Sequence, residues 1–155
     1  MALKILPAVG QIVICDFPKE FKSPEMIKRR PVVCVSPKDR NRPGLVTLIP
    51  LSTTEPIIKR AYNVEIKLDA PISPAFPFLT CWAKCNMIYT FGYQRLSLPM
   101  IGKNRNTGKR EYNSIILPPG IMCEIFTGIL SASGIIGSVK FENDSYQVFD
   151  FQNIL

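Results

Sequence analysis

The chain has 155 residues, 46% of them hydrophobic and 20% charged, with a formal net charge of +7. That is enough for a single domain with its own core, and the composition excludes a disordered chain. There is no histidine, so no Ser-His-Asp or Cys-His site can be built and no imidazole can act as a general base.

From the N-terminus, residues 11–17 (QIVICDF) read as a strand, followed by a proline-bearing loop over 18–28. Residues 30–36 (RPVVCVS) are a β-branched apolar run and read as a buried strand; 38–44 (KDRNRPG) is a turn and 45–52 (LVTLIPLS) a third strand. Residues 62–69 (YNVEIKLD) alternate, with Val64, Ile66 and Leu68 on one face and Glu65 and Lys67 on the other. After a proline-rich loop, 80–91 (TCWAKCNMIYTF) read as one strand. Residues 102–110 (GKNRNTGKR) read as a hairpin tip whose Asn-Thr-Gly centre suits positive φ, and EYNSIIL as the returning strand. A helix is predicted over 117–133, with Pro118 and Pro119 in its first turn, an apolar stripe through Ile121, Ile125 and Ile129, and Gly134 at its C-cap. Gly128 weakens that helix. The tail alternates over 139–151, which suggests a terminal hairpin or strand. It carries Glu142, Asp144 and Asp150 against Lys140, so it is acidic where the rest is basic. Six or seven short strands with one late helix predict a mainly β fold, a small barrel with the helix packed on it.

The five cysteines, Cys15, Cys34, Cys81, Cys85 and Cys123, are odd in number and sit inside apolar runs. They read as reduced thiols of a reducing compartment rather than a disulfide framework. Cys81 and Cys85 are the one close pair and no second pair follows, so no metal site is expected. No signal peptide and no stretch of 18 apolar residues is visible, so no membrane span is expected. The positive charge is clustered. Eight basic and three acidic residues lie between 19 and 42, and four basic residues and no acid between 103 and 110. Such clusters attract polyanions, unless they are simply a soluble basic surface.

Three segments carry candidate chemistry. Glu25, Lys28, Arg29 and Arg30 precede the buried strand that starts at Arg30; its guanidinium suits bidentate phosphate contact, or it pairs structurally with Glu25. Ser52, Thr53 and Thr54 put three hydroxyls at a strand end, where they bind phosphate or 2′-OH oxygens or simply build a turn. On a single strand Trp82, Lys84 and Asn86 share one face, opposite Cys81, Cys85 and Met87. That face would stack and hydrogen-bond unpaired bases, unless Trp82 belongs to the core.

Together these segments resemble the PemK/MazF family of toxin ribonucleases. The resemblance is carried by Gly10-Gln11-Ile12-Val13, by Glu25, Lys28, Arg29 and Arg30-Pro31-Val32-Val33, by Pro50-Leu51-Ser52-Thr53, by Lys84-Cys85-Asn86 with Arg95-Leu96, and by the late helix. It covers about residues 9–135, with EMIKRRPVV and WAKCNM as look-alikes of one subgroup, and leaves 136–155 as an acidic extension. It implies an SH3-like β-barrel, usually a homodimer, in the cytoplasm. It also implies sequence-specific cutting of single-stranded mRNA without metal or other cofactor, and inhibition by a cognate antitoxin bound over the RNA groove. Arg30 and Ser52 match the family's catalytic arginine and threonine or serine. Glu25, Thr53, Lys84 and Asn86 match neighbouring groove positions, and Lys28, Arg29 and Trp82 join them as RNA contacts. One departure is Asn86, where the family commonly has aspartate. An amide accepts no proton, so either Glu25 is the base, or the chain cuts slowly, or it only binds RNA or, like related gyrase-directed toxins, a protein target.

Overall fold

The computed structural model describes residues 3–153, with side chains through 149. Residues 1–2 and 154–155 and the Asp150 side chain, which the predicted domain and its acidic extension include, lie outside the described residues. The strands are Gln11–Asp16 (β1), Arg29–Cys34 (β2), Leu45–Ser52 (β3), Asn63–Lys67 (β4), Thr80–Lys84 (β5), Tyr89–Gly92 (β6), Leu96–Ser97 (β7), Met100–Lys103 (β8), Arg110–Tyr112 (β9) and Ile115–Ile116 (β10). Helix α1, Pro119–Ala132, follows, and Ile135–Glu142 (β11) and Ser145–Asn153 (β12) close the chain. Eight strands make one curled antiparallel sheet in the order β10-β1-β2-β3-β5-β4, with β6 beside β3 and β7 beside β1. The fold is mainly β with one packed helix, as predicted.

Both faces of the central strands are buried, so alternation along β1, β2 and β3 feeds two cores. Ile12, Ile14, Val33, Ile49 and Leu51 join Ile66, Ala83, Met122 and Ile125 in one. Val13, Cys15, Val32, Cys34 and Leu48 join Phe17, Met26 and Leu96 in the other, against Phe21, Tyr89 and Phe91. Burying each such aliphatic side chain contributes roughly 1.5–3 kcal/mol. Gly10 is required where β1 begins. Its φ is +84°, and a Cβ there would sit 3.1 Å from the Leu117 carbonyl oxygen.

The predicted strand over 80–91 is broken in two. The Met87 N–H donates to the Lys84 carbonyl at 2.9 Å, closing a turn that contains no glycine or proline and whose one turn-favouring residue is Asn86. The single return strand expected after the basic tip likewise divides into β9 and β10.

Helix α1 starts at Pro119 and ends ahead of Gly134, whose φ is +75°. Met122, Ile125 and Gly128 face the barrel. The tail folds into the β11–β12 hairpin through Asn143 and Asp144, both left-handed as a two-residue primed turn requires. The hairpin packs on α1: the Val139 N–H donates to Thr127 Oγ1 at 2.9 Å, and the Phe126 and Tyr146 rings lie 4.8 Å apart.

All five cysteines are free, and Cys123 alone is not buried. Burial pushes the Cys15 and Cys85 thiols up to about 12 and those of Cys34 and Cys81 up to about 11. The sign follows from linkage. Above pH ~9 the unfolded thiols ionise while the folded ones stay protonated, so stability falls as pH rises from ~9 toward 11, by up to ~1.4 kcal/mol per thiol per pH unit. Below pH 8 these thiols cost nothing. Titration of native protein with a thiol reagent at pH 8 should therefore modify Cys123 and, in denaturant, all five.

Candidate nucleic-acid interface

The registers of β2, β3, β5 and β4 fix which side chains lie side by side. Val32 faces Pro50, the last pair of the β2–β3 ladder, and the antiparallel alternation puts Arg30 and Ser52 two residues beyond that pair on the same face of their strands. Ser52 faces Trp82, and Trp82 faces Glu65. Ser52, Trp82 and Glu65 thus occupy one line across one face of the sheet, and Arg30 lies on the same face at the end of β2. The Leu51↔Ala83 pair sets Pro50 level with Lys84 in the adjacent line, on the same face. Away from Arg30 and Ser52 this face of β2 and β3 runs into one core through Val32, Cys34 and Leu48, and the opposite face carries the other.

Arg30 is partly buried, and its Nε donates to the Ile27 carbonyl at 3.0 Å. That bond uses one of its five donors and leaves the terminal fork without a partner among the described residues. The alternative of an Arg30–Glu25 ion pair is not realised: Glu25 folds back on its own turn, where its Oε2 accepts the Lys22 N–H at 2.7 Å. Lys28, at the mouth of β2, has a φ of +67°, a conformation that costs a non-glycine residue about 1 kcal/mol and is typical of strained functional segments. The loop before it is pinned where the Met26 N–H donates to Tyr89 Oη at 3.0 Å. Tyr89 itself stacks on Phe91, with centroids 5.8 Å apart.

The Ser52 hydroxyl accepts the Thr54 N–H at 3.2 Å. The turn reading of this segment is realised, with Ser52 as the acceptor; its O–H donates to no group among the described residues. Thr53 beside it is exposed, and Lys84 is partly buried.

Three expectations change. Trp82, expected as an exposed stacking platform, is only 5% exposed: it lies on the Ser52 face, opposite Cys81 and Ala83 of the core, but its ring is covered there. It is covered by Lys59, whose Nζ lies 5.2 Å from the ring centroid. Asn86 does not share the face of Trp82 and Lys84, because the chain turns after Lys84 and leaves Asn86 exposed in that turn. Arg29 alternates to the opposite face from Arg30 and is tied down there, its Nη2 donating to Ser97 Oγ at 2.9 Å.

A family model described as the PemK-like, MazF-like toxin of type II toxin-antitoxin systems matches residues 8–114, about two-thirds of the chain. The chain belongs to this family. Solved structures agree on the PemK/MazF fold. An endoribonuclease in complex with its cognate antitoxin, from a mycobacterial species, is 23% identical with a TM-score of 0.54, over 83% of this chain and 96% of that one. MazF from Deinococcus radiodurans is 17% identical with a TM-score of 0.55, over 84% and 99%. The Mycobacterium tuberculosis toxin MazF-mt6 is 16% identical with a TM-score of 0.50, over 79% and 94%. No curated protein sequence matches the chain. The family match stops short of α1 and the terminal hairpin. No helix among the described residues is long and apolar enough to cross a membrane.

Two residues on this PemK/MazF face escaped the sequence reading. Lys59 is held over Trp82 by Glu55, 3.0 Å from its Nζ, and that carboxylate raises the lysine pKa above its ordinary value. Glu65 is a carboxylate on the Ser52 line, two strands beyond that residue. Strict alternation along residues 62–69 already separated Glu65 from the core. Nothing in the sequence signalled Lys59, because its place depends on how the loop over residues 53–62 folds.

Proposed function

We propose that this chain is a sequence-specific endoribonuclease toxin that cuts single-stranded mRNA without a metal and is held inactive by a cognate antitoxin. The observation that carries the reading is the alignment of Arg30 and Ser52 on one face of β2 and β3, with Lys84 in the next line. Membership of the family supplies the toxin class. A homodimer in the cytoplasm belongs to the same reading; the five free cysteines suit a reducing compartment.

RNA carries its own nucleophile. The 2′ oxygen forms a bond to the adjacent phosphorus, the bond from phosphorus to the 5′ oxygen breaks, and a 2′,3′-cyclic phosphate and a 5′-hydroxyl result. The protein's task is to hold the linkage in line and to stabilise the charge that builds on the nonbridging oxygens. The Arg30 fork takes two of those positions, the Ser52 O–H donates to one, and Lys84 and Thr53 hold neighbouring phosphates. Glu25 is the proposed base, taking the proton of the 2′-OH, and solvent water supplies the proton that the leaving 5′ oxygen takes up. Glu25 is exposed, and one of its oxygens is free of the Lys22 contact. Lys28 and Asn86 flank the path of the strand as exposed contacts.

Asn86 favours a second reading, a barrel of the same fold that holds RNA or a protein target without cutting. A defined single-stranded transcript incubated with the purified protein in EDTA separates the two. Discrete cleavage ends, lost in the Arg30→Ala variant, support the nuclease. Stable complexes with intact RNA support the binder, and neither cleavage nor binding removes RNA as the target.

A further inference from the structure

The β8–β9 hairpin has no role in the chemistry above, yet its construction points to one. It forms a two-stranded sheet of its own, an arrangement that is marginal in water without support. Its base is in touch with the molecule, where Tyr112 lines a cavity with Leu6 and Leu98, but its tip is open: residues 105–111 are all exposed, and a Cβ added at Gly108 would meet nothing within 4 Å. Its turn is nevertheless fixed. Asn104 Oδ1 accepts the N–H groups of Asn106 and Thr107 at 2.9 and 3.0 Å, and the Asn104 and Gly108 backbones close the loop through bonds of 2.8 Å to Lys109 and Asn104. The arm's one acid, Glu111, accepts from Asn104 Nδ2 at 3.1 Å. Lys103, Arg105, Lys109 and Arg110 are exposed and form no ion pair among the described residues.

The root of the arm lies near Arg30. Cys15 of β1 faces Arg30 on one side and Leu96 of β7 on the other. Leu96 is therefore two strands, about 10 Å, from Arg30. The arm begins four residues later, and the Arg29–Ser97 bond braces β2 against its root.

We propose that the β8–β9 hairpin is a second RNA-backbone contact, its four cations gripping phosphates several nucleotides from the bond that Arg30 and Ser52 address. A rigid turn presenting two planar guanidinium forks and two ammonium groups matches a phosphate chain without reading its bases. The inference rests on the proposed RNA target and extends its footprint.

The test uses the full chain with Lys103, Arg105, Lys109 and Arg110 all replaced by Gln, and two single-stranded RNAs sharing one mapped cleavage site, about 30 and about 8 nucleotides long. The expected result is 30-mer affinity weakened at least tenfold at moderate salt. The slope of log K against log salt should fall by about 2–3, at ~0.7 for each of four phosphates, with cleavage of the 8-mer unchanged. The single variant Arg105→Gln should lower the slope by about 0.7. Unchanged 30-mer affinity and slope would overturn the proposal, as would loss of antitoxin binding with RNA binding intact, which would make the arm a protein contact. If the wild-type chain neither binds nor cuts either RNA, the RNA reading itself fails and this one with it.

Discussion

Arg30→Ala should lower the single-turnover cleavage rate about a thousandfold or more while leaving the melting temperature within a few degrees of wild type. Removing one preorganised donor from a developing oxyanion costs about 10²–10³ in rate, and the Arg30 fork supplies two. The structural cost is small, because the only bond lost is that from Nε to the Ile27 carbonyl. Arg30→Lys keeps the charge and loses the fork, so it should recover only part of the rate. Ser52→Ala removes a donor and also the acceptor for the Thr54 N–H; it should cost about 10–100-fold, with little change in RNA affinity measured on an uncut analogue. An Arg30→Ala protein that keeps more than a tenth of wild-type activity would show that the face shared by Arg30 and Ser52 is not where cleavage happens.

How much of this was legible depended on the faces of the strands. β3 has the bounds the sequence predicts, Leu45–Ser52, because its apolar run is long and ends in a hydroxyl turn. The helix loses two residues at its start and one at its end, and its proline start and glycine stop are where they were read. Within β2 the sequence is apolar on both faces, since Val32 and Val33 enter different cores. Hydrophobicity therefore could not divide the KRR cluster, and it took the register to send Arg30 toward Ser52 and Arg29 toward Ser97. The Trp82 ring is met by a lysine that arrives from a loop 23 residues earlier in the chain, a contact no local pattern encodes. Asn86 was misplaced for the opposite reason: the signal was local, a turn-favouring asparagine, but it stood alone between strand-forming runs that outweighed it.

Gly128→Ala should destabilise the protein by about 1–2 kcal/mol, although the same change at an open helix position would stabilise it by roughly 1 kcal/mol. The expected sign comes from what lies above the glycine. A Cβ at 128 would sit 3.0 Å from Cys85 Sγ, 3.2 Å from Cys85 Cβ and 3.2 Å from the Ala61 carbonyl oxygen. Cys85 is fully buried, and Ala61 contributes backbone, so neither yields without moving β5 or the start of β4. The helix would lift from the barrel, and Gly128→Val, with two further methyl groups, should cost more than 3 kcal/mol. Gly120 is the internal control. A Cβ there meets nothing within 4 Å, so Gly120→Ala should be neutral or slightly stabilising in the same thermal or urea melts. Adding Cys85→Ala to Gly128→Ala removes the sulfur from the clash and should return part of the lost stability, a coupling that independent sites would not show. If Gly128→Ala instead raises the melting temperature as Gly120→Ala does, α1 does not seat against Cys85 at this distance, and the helix is held on the barrel by Met122 and Ile125 alone.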